Sequence, residues 1–282
     1  MSYKYKLNIA DIVVGIASPN TLRVENSCAA FIECNEKQCD INYVFRIGKP
    51  RIYGERVRER NPVVYRDPKG FFIERNNLGK CCSCVHLIEP FKSISGWIFP
   101  EYENQFMTIM SLLNIAELEI PLASIGVFSL HSSIIKIHGS AILFSAPSGT
   151  GKSTQANLWE ENRFTEIING DRALIRKKNG SWIAYGSPFA GSSEIYRNEK
   201  APIQAVVVLE QSLHNEINEL TPAQAFRHMY TETIIPRWNN DVHLALMNLL
   251  TDFVQEVKIV KLRCLPDQSA VDLLDNYLNR ER

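Results

Sequence analysis

The sequence lacks an excess of either charge, and it lacks any long apolar run. Its 282 residues include 31 Lys and Arg against 31 Asp and Glu. A net charge of zero argues against a general nucleic-acid-binding protein, because phosphate backbones are bound through a clear surplus of basic residues. No stretch approaches the roughly 20 apolar residues that a membrane-spanning helix needs. We therefore expect neither nucleic acid nor a membrane as the partner of this chain.

The first residues, Met-Ser-Tyr-Lys-Tyr-Lys-Leu-Asn, also lack the apolar region of a secretory signal, which predicts a cytoplasmic location. Cysteine is scarce after residue 85, since six of the seven cysteines precede it. In a reducing compartment they are expected to be thiols. Zinc binding is the alternative. The spacings Cys34-x4-Cys39 and Cys81-Cys82-x-Cys84 do not form paired C-x2-C ligands, however, and adjacent cysteines do not easily face one tetrahedral centre.

The composition is that of a globular protein, with 45% hydrophobic and 22% charged residues, which makes extensive disorder improbable. The patterning changes near residue 120 and predicts two domains, 1–120 and 121–282. The first is β-rich, with strands at Ile9–Ile16 and Ile41–Ile47 and a hairpin whose turn is Asp67-Pro68-Lys69-Gly70. Residues 103–114 carry apolar side chains at helical spacing and are predicted to form a helix.

Residues 121–282 alternate between apolar runs and helical patterns, which predicts an α/β fold there and an α+β arrangement overall, with helices towards the C-terminus. The predicted strands are 124–130, 133–137, 141–144, 166–169, 173–176, 182–185 and 205–209. The predicted helices are 153–161, 222–230, 241–257 and 267–278. Asp267 is well placed to cap the last of these helices.

A basic stretch lies in the first domain. Between Arg46 and Arg75 there are nine basic residues and four acidic ones, with Tyr and Phe interleaved. This composition fits either a surface that binds an acidic partner or a sheet with a solvated basic face. Recognition of a partner or substrate is therefore one hypothesis for residues 1–120.

The most informative motif is the Gly-rich segment Ala146-Pro147-Ser148-Gly149-Thr150-Gly151-Lys152-Ser153-Thr154. It matches GxxxxGK[ST] except that Ala146 stands in place of the first Gly, and it lies between a predicted strand and a predicted helix. Its glycines let several backbone N–H groups face one concavity, and Lys152 adds a charge for the β- and γ-phosphates. The Ser153 hydroxyl is suited to ligate Mg²⁺. A plain turn is the alternative, but packing does not require one to end in Gly-Lys-Ser.

An acidic residue suited to metal or catalytic work follows the next apolar strand. Asp171 comes after Ile167-Ile168 in the run Ile-Ile-Asn-Gly-Asp-Arg. This is where a phosphate-binding loop is expected to find a carboxylate for Mg²⁺ or for catalysis. A turn role within Asn-Gly-Asp is the alternative.

Further segments extend the motif on both sides. They are His131-Ser132-Ser133, Gly170-Asp171-Arg172 and Gly186-Ser187-Pro188 through Gly191-Ser192. With the Gly-rich segment they resemble the catalytic domain of the HPr kinase/phosphorylases, which is related to the phosphoenolpyruvate carboxykinases. Gly191-Ser192-Ser193, Tyr196-Arg197-Asn198 and Leu262-Arg263-Cys264-Leu265-Pro266-Asp267 look typical of the HPr-kinase-like proteins found beside peptide-modification genes.

The resemblance covers about the last 160 residues and implies a P-loop kinase core that uses ATP and Mg²⁺. It implies transfer of the γ-phosphate to a serine hydroxyl on a protein, a peptide or free serine, and it suggests a homo-oligomer. Paired aspartates in that family correspond to Gly170-Asp171 here, so Asp171 is left to act as base, as metal ligand, or as both. His131 is a candidate to share the proton transfer, and packing alone is its alternative role. Residues 1–120 do not align with the family, so HPr itself is not carried over as the substrate.

Two arginines and one loop complete the candidate residues. Arg172 and Arg197 are candidates to stabilise the transferring phosphoryl group, against the alternative of solvated or ion-paired surface residues. A loop around the acceptor, or a plain turn, is predicted from Gly186, Ser187, Gly191 and Ser192.

Three functions follow from these residues, and we favour the first. It is an ATP- and Mg²⁺-dependent serine kinase. The second is a nucleotide-binding regulatory or partner module without transfer activity, which the single aspartate at Gly170-Asp171 supports. The third is a carboxykinase-like enzyme acting on a small carboxylate, for which the sequence offers no metal-binding motif near the Gly-rich segment.

Overall fold

The computed structural model describes residues 5–280 of the chain, which is a mixed α/β protein of two compact units. The first unit contains the residues up to Ile125 together with Pro236–His243, and the second contains Gly126–Ile235 and the residues from Leu244 onward. The structural division thus falls a few residues after the expected boundary, and a short later segment belongs to the first unit. Across residues 5–280, no helix has both the length and the apolar character needed to span a membrane.

The first unit is built on an eight-stranded sheet. Its strands are β1 (Tyr5–Ile9), β2 (Ile12–Ala17), β3 (Ile41–Ile47), β4 (Glu55–Arg58), β5 (Val63–Asp67), β6 (Gly70–Asn77), β7 (Lys80–Ile88) and β8 (Ser93–Ile98). Their order in the sheet is β1-β2-β3-β8-β7-β6-β5-β4. The helical segments are α1 (Asn26–Ala29), a 3-10 helix (Pro100–Gln105), α2 (Ile109–Leu113) and α3 (Glu119–Ala123).

Two sequence predictions for the first unit are wrong, and one is confirmed. The segment Ile9–Ile16 is not a single strand, because Ala10 and Asp11 adopt positive φ and turn the chain back as a β1–β2 hairpin. The single helix over 103–114 is also wrong. Thr108 is extended and starts α2 with a capping box, which separates α2 from the preceding 3-10 helix. The hairpin with its turn at Asp67–Gly70 is confirmed by the pairing of β5 with β6.

A buried ionisable pair lies next to that hairpin. His86 Nε2 is 3.1 Å from Asp67 Oδ2, and the His86 ring stacks on Phe72. Burial lowers the pKa of His86, although the Asp67 carboxylate opposes the shift. For Asp67, burial acts to raise the pKa, but the Lys69 N–H, the His86 charge and the Gly70 N–H outweigh it and the pKa is lowered. Above the lowered pKa of His86, the pair is a neutral imidazole beside an ionised carboxylate, and below it the imidazolium faces that carboxylate.

The second unit is built on another large sheet. Its strands are β9 (Val127–Ile137), β10 (Ser140–Ser145), β11 (Glu166–Asn169), β12 (Arg172–Lys178), β13 (Ser181–Tyr185), β14 (Lys200–Gln211), β15 (Glu216–Glu219) and β16 (Ile259–Cys264). The strand order is β10-β9-β12-β13-β14-β16-β15, with β11 also on β9 and β10 also on β14. The helices are α4 (Lys152–Arg163), α5 (Pro222–Glu232), α6 (Asn240–Glu256), which begins within Pro236–His243, and α7 (Gln268–Asn279), with a 3-10 turn at Gly191–Ser193.

Strand β9 corrects the prediction of two strands at 124–130 and 133–137. Ser132 and Ser133 interrupt the apolar run, yet both are fully buried inside one continuous strand. The Ser133 hydroxyl donates to the Lys152 carbonyl, which satisfies a polar group in the interior. Strand β16 was not predicted at all, because Lys261 and Arg263 break its apolar pattern. The N-cap at Asp267 is confirmed, since its carboxylate accepts from the Ser269 N–H.

Parallel pairing of three strands organises the sheet around the Gly-rich segment. β10 runs parallel to β14, and β14 runs parallel to β16. Their carboxyl ends therefore lie at one edge of the sheet, where ligands of α/β proteins bind. Helix α4 packs on these strands through Trp159, whose ring lies 6.3 Å from that of Phe144.

We expect acidification to destabilise the first unit through His86. Its pKa is lower in the folded than in the unfolded state. Stability is therefore fully present above the ordinary histidine value near 6.5 and is lost as the pH falls below it, by at most about 1.4 kcal/mol per pH unit for one proton. Urea unfolding followed between pH 7.5 and 5.5 should show this slope, and His86→Gln should reduce it. An identical slope in the variant would contradict the assignment to His86.

Candidate active site

The Gly-rich segment connects the end of β10 to the first turn of α4. Gly149 and Gly151 adopt φ of +80° and +116°, and a Cβ placed on either would meet no atom within 4 Å. Both glycines are therefore required by backbone conformation and leave open space beside the loop. Ala146 is buried and is not among the residues with positive φ. Its replacement of the usual first Gly consequently costs no backbone strain.

Lys152 lies at the start of α4 with its ammonium group folded back over the segment. Its Nζ donates to the carbonyl oxygens of Ala146 at 2.8 Å and Pro147 at 3.3 Å, and the residue is 7% exposed. Burial lowers the pKa of Lys152, while the carboxylates of Glu232 and Asp171 act in the opposite direction. The segment thus holds a largely desolvated cation close to two acidic side chains.

Strand β9 brings the other candidate residues to this segment. Ser132 lies opposite Ser145 at the end of β10, and His131 lies opposite Arg172 at the start of β12. The Ser132 N–H also donates to the Asp171 carbonyl at 3.0 Å. Because the register is fixed by these pairings, His131 and Asp171 are neighbours beside the Gly-rich segment.

The side chain of His131 lies between two carboxylates. Its Nε2 is 3.3 Å from Asp171 Oδ1, and its Nδ1 is 3.2 Å from Glu232 Oε2. The side chains of His131 and Asp171 are 32% and 34% exposed, whereas that of Glu232 is only 9% exposed. The contact of His131 with Glu232 has hydrogen-bond geometry, and Asp171 lies within ion-pair distance of the other ring nitrogen. His131 therefore contacts two acidic side chains, and its part in proton transfer stays a prediction.

Glu232 was missed by sequence reasoning. It is the last residue of α5, and no motif surrounds it. The following Thr233 forms a β-bridge with Leu130, next to His131, and Ile234 N–H donates to the Ser129 carbonyl. These backbone contacts bring the end of α5 onto β9 from about a hundred residues further along the chain.

Asp171 is held in place by a buried amide. Asn169 Oδ1 accepts from the backbone N–H groups of Asp171 at 2.9 Å and Arg172 at 2.8 Å. Its Nδ2 donates to the Ser187 carbonyl at 2.9 Å. Asn169 is completely buried, so these bonds satisfy a side chain that would otherwise be costly to bury. The turn role considered for Asp171 is thus taken by Asn169, and the Asp171 carboxylate is left to face His131.

Gly170 has no room for a side chain. A Cβ at this position would lie 2.0 Å from Ser193 Oγ and 2.4 Å from Ser193 Cβ. The Ser193 hydroxyl is itself held, since it donates to the Ala190 carbonyl at 2.6 Å. Ser193 therefore fills the space beside Gly170, and Asp171 is the one carboxylate at this turn. Gly191 in the same loop packs against Asp171, because its Cβ would approach Asp171 Cγ to 2.7 Å.

A polar cleft of about 340 Å³ joins these groups. Its lining consists of His131, Ser148, Gly149, Gly151, Lys152, Ser153, Thr154, Gly170, Asp171, Ser192 and Ser193. A hydroxyl at Ser153 and a carboxylate at Asp171 are hard oxygen donors of the kind that Mg²⁺ prefers, and Mg²⁺ commonly takes its remaining ligands from water and substrate phosphates. The donor set therefore fits Mg²⁺, and the empty concavity beside the two glycines fits a phosphate chain.

Several predicted residues lie outside this lining. Ser187 is fully buried, and its hydroxyl donates to the Arg172 carbonyl at 2.8 Å. Gly186 is packed against the Arg197 carbonyl. Arg197 itself is exposed, and its backbone N–H donates to the Ile168 carbonyl. The Arg172 guanidinium lies over the Phe189 ring at 4.5 Å. Of the predicted acceptor loop, only Ser192 lines the cleft and Gly191 touches Asp171.

The cysteines are all free thiols, and none of them is part of the lining of this cleft. Burial raises the pKa of Cys81 and of Cys264, to about 12 and about 11. Within residues 5–280, no three His, Cys, Asp or Glu side chains are grouped so that they could hold a metal ion. Neither proposed zinc spacing therefore assembles into a ligand set in the described structure.

Comparison with known proteins finds likeness in structure and none in sequence. No family model matches the chain, and no curated protein matches its sequence. The fold is similar to that of the Hpr(Ser) kinase/phosphatase from Coxiella burnetii. The TM-score is 0.31 at 11% identity, over 54% of this chain and 94% of the other. Nothing about the chemistry follows from a likeness at that TM-score.

The close approach of Ser193 to Gly170 can be tested by its effect on stability. Gly170→Ala should destabilise the protein by about 1–3 kcal/mol, because the new methyl group overlaps a fixed Cβ. Ser193→Gly should relieve that overlap, so the double variant should be more stable than the sum of the two single changes predicts by about 1 kcal/mol. Urea unfolding of the four proteins measures the coupling. Simple additivity would contradict the proposed contact.

Proposed function

We propose that this chain is an ATP- and Mg²⁺-dependent phosphotransferase that transfers the γ-phosphate to a serine hydroxyl of a protein, a peptide or free serine. The observation that carries the proposal is the polar cleft. In it the Gly-rich segment, Lys152 and Ser153 face the Asp171–His131 pair. A phosphate site and a proton acceptor that share one cleft meet the minimal requirement for phosphoryl transfer to a hydroxyl.

Each group in the cleft takes one role. The backbone N–H groups of the segment and Lys152 bind the phosphates, and the ammonium exchanges its bonds to the Ala146 and Pro147 carbonyls for phosphate oxygens. Ser153 and Asp171 would hold Mg²⁺, which would neutralise charge on the β- and γ-phosphates. The serine oxygen bonds to the γ-phosphorus, the bond to the bridging β,γ-oxygen breaks, and ADP leaves.

The hydroxyl proton goes to the Asp171–His131 pair. Asp171 Oδ1 and His131 Nε2 lie 3.3 Å apart, so a hydroxyl in the cleft can reach either of them as its proton acceptor. Glu232 is a positioning residue here, because it contacts His131 Nδ1 from the side away from Asp171. Arg197 remains a proposed phosphoryl-stabilising residue, and it would need to move, since it does not line the cleft.

A second function is favoured by one specific observation. Ser193 fills the position beside Gly170, which leaves a single carboxylate at the turn for both metal and base. That arrangement suits a nucleotide-binding module without transfer activity. Incubation with labelled ATP, Mg²⁺ and a panel of serine, peptides and proteins separates the two. Label on an acceptor supports the kinase, whereas bound ATP with no acceptor labelled supports the binding module.

Lys152→Ala should weaken nucleotide binding at least about tenfold under either function, because a charge-assisted bond to phosphate is lost. Calorimetric titration with MgATP measures this, and Lys80→Ala, an exposed lysine of the first unit, is the matched control. Because Lys152 is buried, thermal unfolding of the variant should be recorded alongside. Unaltered affinity in a folded variant would exclude the Gly-rich segment as the phosphate site.

Asp171→Asn should lower the rate of transfer at saturating MgATP by roughly 10²- to 10⁴-fold, since it removes the acidic partner of the proton acceptor. The amide keeps the size of the side chain and its place beside Gly191. Asp252→Asn, an exposed residue of α6, is the control and should keep the wild-type rate. Single-turnover transfer to the acceptor found in the panel is the measurement. A variant with the wild-type rate would remove Asp171 from the mechanism.

A further inference from the structure

A second cleft, of about 520 Å³, also borders the Gly-rich segment. It shares Gly149, Gly151 and Thr154 with the polar cleft. Its remaining walls come from the carboxyl ends of β14 and β16, through Leu209, Gln211 and Cys264 and the residues that follow them. Since β10, β14 and β16 run parallel, this cleft lies at the sheet edge from which the segment emerges.

Apolar side chains form much of this second cleft. Leu209, Leu265 and Pro266 line it, and Leu213 at its margin is 93% exposed. Binding of a flat apolar group over an exposed leucine and a concave apolar surface is favourable, because it removes apolar area from water. The second cleft is therefore suited to a planar ring, whereas the polar cleft is suited to a charged group.

One polar side chain in this cleft has an unused acceptor. Gln155 lines it and is only 2% exposed. Its Nε2 donates to Cys264 Sγ at 3.3 Å and to the Leu265 carbonyl at 3.4 Å, while its Oε1 has no hydrogen-bond partner. A buried acceptor without a partner is costly, so it points to a donor that is supplied from outside the chain. The terminal torsion of a glutamine amide is broad, so a small rotation presents Oε1 to such a donor.

We propose that the second cleft binds the adenine base of the nucleotide, with Gln155 Oε1 accepting a hydrogen bond from the exocyclic amine. The proposal rests on the proposed nucleotide-binding function and deepens it by assigning base recognition. Gln155 is three residues after Lys152 on α4, so one turn of helix carries both the phosphate contact and the base contact. The apolar walls contact the faces of the ring, and Gln155 recognises adenine by the exocyclic amine at the edge of the ring.

The ligand-side test uses the wild-type protein and three probes with Mg²⁺. They are ATP, the purine-riboside triphosphate, which lacks only the exocyclic amine, and inorganic tripolyphosphate. We expect ATP to bind about threefold to tenfold more tightly than the purine analogue, the effect of one hydrogen bond, and tripolyphosphate to bind more weakly than both. Equal affinities for ATP and the analogue would overturn the base assignment while leaving the phosphate site intact. Failure of all three to bind would overturn the proposed function and the base site with it.

The protein-side test replaces Gln155 by a residue of similar shape. Gln155→Met should bind ATP and the purine analogue with about equal affinity and should bind tripolyphosphate as the wild-type protein does. Asn157→Met, at an exposed position of the same helix, is the matched control and should keep the wild-type preference. Because the readout is a ratio of affinities in one protein, a loss of stability does not imitate it. A Gln155→Met protein that keeps the full preference would refute the role of Gln155.

Discussion

The candidate site depends on the pairing of one strand with two others. Strand β9 places Ser132 opposite Ser145, which precedes the Gly-rich segment, and His131 opposite Arg172, which follows Asp171. Two consecutive residues of β9 therefore bring the Gly-rich segment and Asp171 close together. A slip of one residue would turn every side chain of β9 to the other face of the sheet. The proximity of His131 and Asp171 is therefore a property of sheet register, and the bridge of Thr233 to Leu130 extends the same constraint to Glu232.

Burial of polar groups prepares this site in advance. Lys152 is removed from water and held by two carbonyl oxygens, and Asn169 is removed from water and holds the turn that carries Asp171. Groups that have already lost their hydration need little further reorganisation when a charged ligand binds. The hydrogen bonds within the second unit offset the energetic cost of burying them.

The parts of the fold and site that were predictable have local causes. The Gly-rich segment follows from residue types that only a tight, anion-facing turn requires, and the cap at Asp267 follows from one side chain. Errors arose where a distant contact overrides the local pattern. Ser132 and Ser133 lie inside β9 because neighbouring strands bury them, and Lys261 and Arg263 lie in β16 because that strand pairs with β14 on one side and β15 on the other.

Residue chemistry along the chain determined that a Gly-rich segment with the residue types of an anion-binding loop lies between a strand and a helix, and it made Lys152, Ser153 and Asp171 candidates for the site. Tertiary structure alone decided which groups join them. Glu232, Asn169 and Gln155 carry no local signature, because an isolated glutamate, asparagine or glutamine has the same chemistry on any surface. Their roles arise from burial and from partners such as His131, Ser187 and Leu265, which lie 18 to 110 positions away from them in sequence and which only the folded sheet brings within hydrogen-bonding distance.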